Sequence, residues 1–386
     1  SISALARSKG GLAFRYLLGL LGLLAACGPA ASRESTLPLT ASQLLEVRQW
    51  IAQQPDLRVL AIGESAHDTA ITQNVRNQLI LDLAERDLIG LVLIETGFAE
   101  SRQVNAFVQN QGSADLNMQA GLTNGFGLFA PNNALINAIR QINAARPQAE
   151  NIGVFGIDLG AGGPWGAAPG MAPVDCALEG VHPQKRAKLH ARFVQLTSPG
   201  LHGEKVTPSV VNSYSAAAQV LRRKARRVAG SDIELCIRIV EQGIRLLANL
   251  PPGMPGPALP TTASRSIEAR DKAMAENVRL LLPRARGKLV VLVTHATHAA
   301  ASPMIGPRWS NLEKAPESTG LWLRRSMGGQ YRSLLVLTGQ QDVACLSNRD
   351  AAILTLLPNH PCPLTINGDD TQFLTPAAAT DLIIRK

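Results

Sequence analysis

Apolar positions along the chain fall into two patterns, which predict alternating strands and helices. Short uninterrupted apolar runs, typical of strands buried on both faces, occupy residues 58–63, 88–94, 152–157, 288–294 and 334–338. Between these runs, apolar residues recur every three or four positions, which predicts amphipathic helices. The helical segments are residues 42–54, 74–85, 133–145, 209–228, 232–250 and 267–282.

This order predicts an α/β fold with a mainly parallel sheet and helices on both faces. We expect a first half of the α/β core at residues 40–160 and a second half at 263–386. Residues 161–262 are predicted to be a mainly helical insertion or lid, because they are rich in Gly and Pro at both ends and helical between them. The fold is thus predicted to be interrupted once.

The N-terminus has the pattern of a targeting segment. Three cations (Arg7, Lys9 and Arg15) precede an uncharged stretch at residues 16–26. At about 1.5 Å per residue, that stretch is too short to span a bilayer, and it resembles the apolar part of a signal peptide. It ends in the sequence Leu-Ala-Ala-Cys, which is similar to a bacterial lipobox and places the cysteine at Cys27.

We therefore expect a lipoprotein signal peptide at residues 1–26, lipidation of Cys27 and a tether at residues 27–39. An ordinary signal peptide followed by a coincidental cysteine is the alternative. The lipoprotein interpretation predicts a protein anchored by lipid in the cell envelope, on its periplasmic or extracellular face. The membrane would then be a partner through acyl chains rather than through a helix.

Charge and cysteine content bear on two further questions, whether the protein binds nucleic acid and whether it contains disulfides. The chain has 386 residues, 38 of them Lys or Arg and 29 Asp or Glu, for a net charge of +9. The basic run at residues 222–227 is interpreted as a solvated helix face, and with 4% aromatic residues a base-stacking surface is not expected. We predict no nucleic-acid partner. Four further cysteines permit one or two disulfides without fixing their pairing: Cys176, Cys236, Cys345 and Cys362.

The first candidate for chemistry follows the first predicted strand. Residues 63–67 read Gly-Glu-Ser-Ala-His, which places an acid and an imidazole three residues apart. Ser65 occupies the serine position of a G-x-S-x-G nucleophile elbow. His67 replaces the last glycine of that motif, whose small size lets strand and helix approach closely. We therefore interpret Glu64 and His67 as candidate catalytic residues, and we predict no catalytic role for Ser65.

Two other predicted strands also end in polar groups. Glu95 terminates the run at residues 88–94, and His295 and His298 follow the run at residues 288–294. A carboxylate at the end of an apolar strand needs a partner or a role. Functional groups of parallel α/β sheets collect at the carboxyl ends of the strands. The cluster of two acids and three imidazoles is compatible with water activation by a general base or with a metal site.

Over residues 56–342, the chain resembles the erythromycin esterase-like proteins, because several motifs occur here in the same order as in that family. The resemblance rests on five motifs: G-E-x-x-H at residues 63–67, Arg76 nine residues after that histidine, the strand ending at Glu95, R-D-x-x-M-A at residues 270–275 and the two histidines at residues 295–298. The sequence differs from the family at Ala296, where Asn is usual, and at residues 126–133, where a Trp-containing motif is weak. These differences bear on the substrate more than on the chemistry.

The resemblance implies hydrolysis of a carboxylic ester or lactone, with macrolides as substrates of the named members and antibiotic resistance as a consequence. It implies that His67 activates water and that Glu64 orients His67. The remaining site residues would bind, polarise or stabilise the developing oxyanion: Arg76, Glu95, His295 and His298. We predict no cofactor and no bound metal, because Arg76 would place a fixed positive charge beside the possible ligands. We interpret Arg270 and Asp271 as a structural ion pair that joins helix and sheet.

Two alternatives stay open. One is a metal-dependent hydrolase that uses the Glu/His cluster, and the other is a non-catalytic, ligand-binding surface lipoprotein. Catalysis is favoured because simple binding rarely needs a potential general base beside an arginine.

Overall fold

The described part of the chain alternates between strands and helices. The structure, a computed structural model, describes residues 39–64, 70–111, 115–160, 169–202, 204–226, 230–250, 261–301, 303–304, 314–336, 371–374 and 383–384. The candidates Cys27, Ser65, His67, Cys345 and Cys362 lie outside these residues. So do the signal peptide and most of the tether.

In the part of the chain that the structure describes, seven strands form one sheet in the order β3-β2-β4-β1-β5-β6-β7. Their bounds are β1 (Val59–Glu64), β2 (Ile89–Gly97), β3 (Gly153–Asp158), β4 (Leu289–His295), β5 (Tyr331–Val336), β6 (Thr371–Leu374) and β7 (Ile383–Ile384). Neighbouring strands are parallel except for β6 and β7, which are antiparallel. The first five strands therefore point their carboxyl ends to one edge of the sheet.

Helices connect and cover these strands. Their bounds are α1 (Ala41–Ala52), α2 (Ala70–Glu85), α3 (Phe98–Val108), α4 (Met118–Gly121), α5 (Ala130–Ala144), α6 (Ala172–Leu178), α7 (Pro183–Leu201), α8 (Pro208–Lys224), α9 (Asp232–Asn249), α10 (Thr261–Leu281), α11 (Ala296–Ala299) and α12 (Thr319–Met327). Several begin with a side-chain cap, which supplies an acceptor for the unpaired N–H groups of the first turn. Thr40 and Gln43 form a reciprocal capping box at α1.

Alternate residues of each strand enter opposite cores, because side chains of a strand point to its two faces in turn. Val59 and Ala61 pack with residues of α6 to α12 in one core. Leu60 and Ile62 pack with residues of α1, α2 and α5 in the other. This burial on both faces explains the uninterrupted apolar runs, and it confirms the predicted α/β fold with helices on both faces of a mainly parallel sheet.

Between β3 and α10 the described chain is helical, as the sequence predicts for the interruption of the fold. A disulfide joins Cys176 in α6 to Cys236 in α9. The bridge links residues 60 positions apart, so it restricts the unfolded chain and stabilises the packing of these helices. The proposed limits of the insertion, residues 161 and 262, stay predictions.

The sequence pattern missed α3, which follows β2 without a loop. Its buried face includes the polar residue Ser101, and this breaks the apolar spacing. The Ser101 hydroxyl donates to the carbonyl of Phe98 (2.7 Å) and accepts from the N–H of Gly156 (2.6 Å), so its burial is satisfied. Within the described ranges, no helix combines the length and apolar character needed to cross a membrane.

Candidate functional site

The candidate site is built at the carboxyl edge of the sheet, where four strands end in polar side chains. Glu64 of β1 is in register with His295 of β4, so these two residues are neighbours across the sheet. Glu95 lies near the end of β2, and Asp158 ends β3 beside Gly97. Parallel strands place these groups together because all four run in the same direction.

Glu64 and Arg76 form a buried ion pair. Both side chains are at most 1% exposed, and Arg76 Nη1 lies 2.5 Å from Glu64 Oε1. Burial lowers the pKa of Arg76, and the Glu64 carboxylate opposes that shift. Since an arginine side chain does not deprotonate in proteins, the pair is a fixed positive charge against a fixed carboxylate.

Two asparagines complete the coordination of Arg76. Its Nε and Nη2 donate to Asn77 Oδ1 at 3.0 and 2.7 Å, and Nη2 also donates to Asn132 Oδ1. Asn132 in turn donates to the carbonyl of Phe126 at 2.8 Å, and Asn77 donates to that of Pro131 at 2.7 Å. Residues 126–132 therefore hold the buried pair in place.

Glu95 accepts hydrogen bonds on both carboxylate oxygens. Thr294 Oγ1 donates to Oε2 at 2.6 Å and the N–H of His295 does so at 3.0 Å. Arg270 Nη2 lies 3.1 Å from Oε1, and His298 Nε2 lies 3.4 Å from the same oxygen. Glu95 thus connects β2 to β4 and faces two cationic groups.

Arg270 of α10 bridges two strand ends. Besides Glu95, its guanidinium binds both oxygens of Asp158 at distances from 2.6 to 3.2 Å. Burial acts to lower the pKa of Arg270, but Asp158 and Glu95 raise it overall. Asn124 donates to Asp158 Oδ2 at 2.9 Å and to the carbonyl of Glu95 at 3.2 Å.

The ring of His295 is oriented by its own turn. The N–H of Thr297 donates to His295 Nδ1 at 3.2 Å, and the Thr297 hydroxyl lies 2.9 Å from the same nitrogen. Because Nδ1 accepts, the neutral ring carries its proton on Nε2. His295 caps the short helix α11, and its ring centroid lies 6.4 Å from that of His298.

His298 is held between two carboxylates. Its Nδ1 lies 2.7 Å from Asp271 Oδ1, and its Nε2 faces Glu95. Burial acts to lower the pKa of His298, but the charges of Asp271 and Glu95 outweigh it and raise the pKa above its ordinary value. The imidazolium form is therefore favoured at this position.

Arg270 joins α10 to the sheet, whereas Asp271 joins α10 to two other helices. Arg270 binds Glu95 and Asp158, whereas Asp271 binds His298 and Thr319. Consecutive residues of a helix point about 100° apart, so Arg270 reaches the ends of β2 and β3, whereas Asp271 reaches α11 and α12. The prediction that Arg270 and Asp271 form an ion pair with each other is therefore wrong.

Two further acids lie at this edge and are not among the predicted site residues. Asp158 ends an apolar strand as Glu95 does, so the same signal identifies it. Glu100 in the first turn of α3 packs against Gly97 and Gly160, and no described residue hydrogen-bonds its Oε2. Burial, together with the nearby charge of Asp158, raises the pKa of Glu100.

The described residues thus bring together all the predicted catalytic residues except His67, whose position is not described. Glu64 and Arg76 form one pair, and Glu95, His295 and His298 form a second group beside it. Within the parts of the chain that the structure covers, no three His, Cys, Asp or Glu side chains are arranged to hold a metal ion.

A separate cavity of about 680 Å³ lies away from this edge. It is near the amino ends of β4 and β5, since Leu282 and Gln330 line it. Its charged lining groups include the ion pair of Arg245 with Glu276. None of the candidate site residues contributes to it.

A family model for erythromycin esterase matches residues 90–367 of this sequence. The chain belongs to the erythromycin esterase family. The match includes Glu95, Arg270, Asp271, His295 and His298, while Glu64 and Arg76 lie before it. Among proteins of curated function, no sequence matches.

Solved structures share the fold at low sequence identity. A mutant of the erythromycin esterase EreC in its open conformation is 15% identical, with a TM-score of 0.57 over 79% of this chain and 77% of that one. A succinoglycan biosynthesis protein is 15% identical, with a TM-score of 0.58 over 79% and 73%. A Bacillus cereus protein is 16% identical, with a TM-score of 0.57 over 79% and 71%. At this identity, the likeness concerns the fold.

Proposed function

We propose that this member of the erythromycin esterase family hydrolyses a carboxylic ester or lactone with a water molecule activated by His67, without a metal ion. The observation that carries the proposal is the collection of Glu64, Glu95, His295 and His298 at one edge of the sheet. His67 follows Glu64 by three residues in the chain.

In the proposed reaction, His67 takes a proton from water as the water oxygen attacks the carbonyl carbon. The carbonyl π electrons move to oxygen and give a tetrahedral oxyanion. When the intermediate collapses, the C–O bond to the leaving alcohol breaks, and the departing oxygen takes the proton from His67. The products are a carboxylic acid and an alcohol, which remain joined in one molecule if the substrate is a lactone.

Glu64 and Arg76 supply rigidity in this scheme. The four described hydrogen bonds of the Arg76 guanidinium all go to Glu64, Asn77 and Asn132, which favours a role in holding Glu64 over direct contact with substrate. A carboxylate held in this way can orient His67 and stabilise its imidazolium.

His295 is the proposed hydrogen-bond donor to the oxyanion, and His298 is the proposed positive charge beside it. The neutral ring of His295 carries its proton on Nε2, and His298 is favoured as a cation. Donors and charges that are fixed before the reaction stabilise a developing negative charge without reorganisation. Glu95 contacts both residues: it accepts a hydrogen bond from the N–H of His295, and its Oε1 lies 3.4 Å from His298 Nε2.

Metal independence is proposed because the carboxylates are already neutralised by arginines. Arg76 pairs with Glu64, and Arg270 pairs with Glu95 and Asp158. A divalent cation bound by the same oxygens would have to displace or repel these fixed positive charges.

We expect the purified protein to hydrolyse at least one compound of a panel that contains p-nitrophenyl acetate, p-nitrophenyl butyrate, dihydrocoumarin and erythromycin. Activity should be equal before and after treatment with a chelator, since the scheme uses no metal. Erythromycin belongs in the panel because the family name and the related EreC structure refer to it. Initial rates followed by absorbance or by mass spectrometry give the measurement.

Two outcomes would contradict this proposal. Activity that is lost with chelator and restored by one metal would favour the metal-dependent hydrolase. Failure to hydrolyse any compound, together with measurable binding of one of them, would favour a ligand-binding lipoprotein.

We also propose that the protein is anchored in the cell envelope through lipid on Cys27. The short apolar stretch before Cys27 and the disulfide between Cys176 and Cys236 support export to an oxidising compartment. The variant Cys27→Ala should no longer partition into the detergent phase of a Triton X-114 extraction, whereas the unsubstituted protein should. Equal partitioning of both proteins would refute the anchor.

A further inference from the structure

Asp271 has an unusual set of contacts for a buried acid. It is fully buried on α10, and the described hydrogen bonds of its side chain are all made through Oδ1. Oδ1 accepts from the N–H and the hydroxyl of Thr319, both at 2.8 Å, and it lies 2.7 Å from His298 Nδ1. Oδ2 is also buried, and no described residue hydrogen-bonds it.

These contacts allow the role of the Asp271 geometry to be distinguished from the role of its charge. An asparagine at this position could present the same Oδ1 to the same three donors. Only a carboxylate adds a negative charge, and burying that charge with one oxygen unpaired costs free energy. The charge must therefore be balanced by something other than Thr319. Arg270 also interacts with this charge at longer range, but the described ionisable group that hydrogen-bonds the carboxylate is His298.

The surroundings of His298 fit this view. The described charged groups that face it are Asp271 and Arg270 from α10 and Glu95 from β2, with His295 as its neighbour on the same turn. Arg270 is itself bound by Asp158 and Glu95. Two carboxylates thus contact the ring directly, one at each nitrogen, and the nearby cation is neutralised by its own partners.

We propose that Asp271 is a positioning residue for His298, which fixes the ring with a proton on Nδ1, points Nε2 toward Glu95 and keeps the ring cationic. The inference rests on the proposed function in one respect, since it makes His298 a preformed positive charge for the oxyanion. The orientation and charge of the ring are properties of the resting protein and can be measured without a substrate.

The test is a pH titration of the full chain with ¹⁵N-labelled histidine, in which long-range ¹H–¹⁵N spectra report the proton on each ring nitrogen. The signals of His298 are assigned by their loss in His298→Gln. In the unsubstituted protein we expect Nδ1 to stay protonated throughout, and Nε2 to lose its proton above the ordinary histidine pKa of about 6.5. A midpoint at or below that value, or a neutral ring protonated on Nε2, would overturn the proposal.

The variant Asp271→Asn should lower the midpoint of His298 by ~1–3 pH units, the usual effect of one neighbouring opposite charge. Thr319→Val is the matched control, because it removes a donor to the same Oδ1 but leaves the charge. We expect Thr319→Val to lose stability while its His298 midpoint stays in place. An unchanged midpoint in Asp271→Asn, or an equal fall in both variants, would show that the Asp271 charge does not act on His298.

Hydrolysis of the panel compounds distinguishes this inference from the proposed function. In Asp271→Asn, the alkaline limb of kcat/KM should move to lower pH together with the His298 midpoint. If the midpoint moves but no compound is hydrolysed by the unsubstituted protein, the positioning role stands and the proposed function fails. If the midpoint moves and hydrolysis proceeds with the same pH profile in both proteins, the positioning role stands and the proposed use of the His298 charge in the reaction is refuted.

Discussion

Replacing His67 by Ala or Gln is expected to lower kcat by ~10²–10⁴-fold on any ester that the unsubstituted protein hydrolyses, the usual range for loss of general acid–base catalysis. Neither residue can accept a proton from water at neutral pH. The pH profile of kcat/KM in the unsubstituted protein should have an acidic limb, since protonated His67 cannot act as a base. Initial rates across pH, with circular dichroism to verify folding, give the measurement.

Ser65→Ala is the matched control for this prediction. Ser65 lies two residues before His67 and occupies the serine position of a nucleophile elbow, so an acyl-enzyme mechanism would require its hydroxyl. Water activation by His67 does not, and we expect Ser65→Ala to retain most of the activity. Loss of activity in Ser65→Ala beside a largely active His67→Ala would reject the proposed mechanism in favour of covalent catalysis.

Arg76→Met should lower the free energy of unfolding by about 3–5 kcal/mol, because it leaves the Glu64 carboxylate buried without its cation. It also removes the donors to Asn77 and Asn132, which connect α2 to residues 126–132. Equilibrium unfolding in urea gives the measurement.

Arg238→Met is the control with the same change in side chain. Arg238 is half exposed and pairs with Glu234 within one helix at 3.3 Å, so its loss should cost about 0–1 kcal/mol. Adding Glu64→Leu to Arg76→Met should recover part of the lost stability, since the buried carboxylate would then be absent as well. Equal costs for Arg76→Met and Arg238→Met would mean that burial adds nothing to the Glu64–Arg76 pair.

The spacing of apolar residues predicted several strands of the sheet but missed helix α3. The runs at residues 58–63, 88–94 and 288–294 correspond to β1, β2 and β4, because a strand buried on both faces needs apolar residues at consecutive positions. Helix α3 was missed because its buried Ser101 is satisfied by contacts with β3 and with its own helix. A polar residue with a distant partner has no signature in local spacing.

The candidate site was likewise predicted only in part from the sequence. The sequence by itself determined which side chains collect at the carboxyl edge, because a parallel sheet with Glu64, Glu95 and His295 at its strand ends must bring them to one place. It also determined that Arg76 belongs with them, through the family motif.

Only the tertiary structure decided which of these groups bind each other. Arg270 and Asp271 are adjacent in sequence, yet the first reaches Glu95 and Asp158 and the second reaches His298. Side-chain directions on α10 and the distance of that helix from the sheet set these partners, and neither is encoded in the spacing of motifs. The raised pKa of His298 follows from the same packing, since a shift of this kind depends on burial and on which charges lie within a few ångströms.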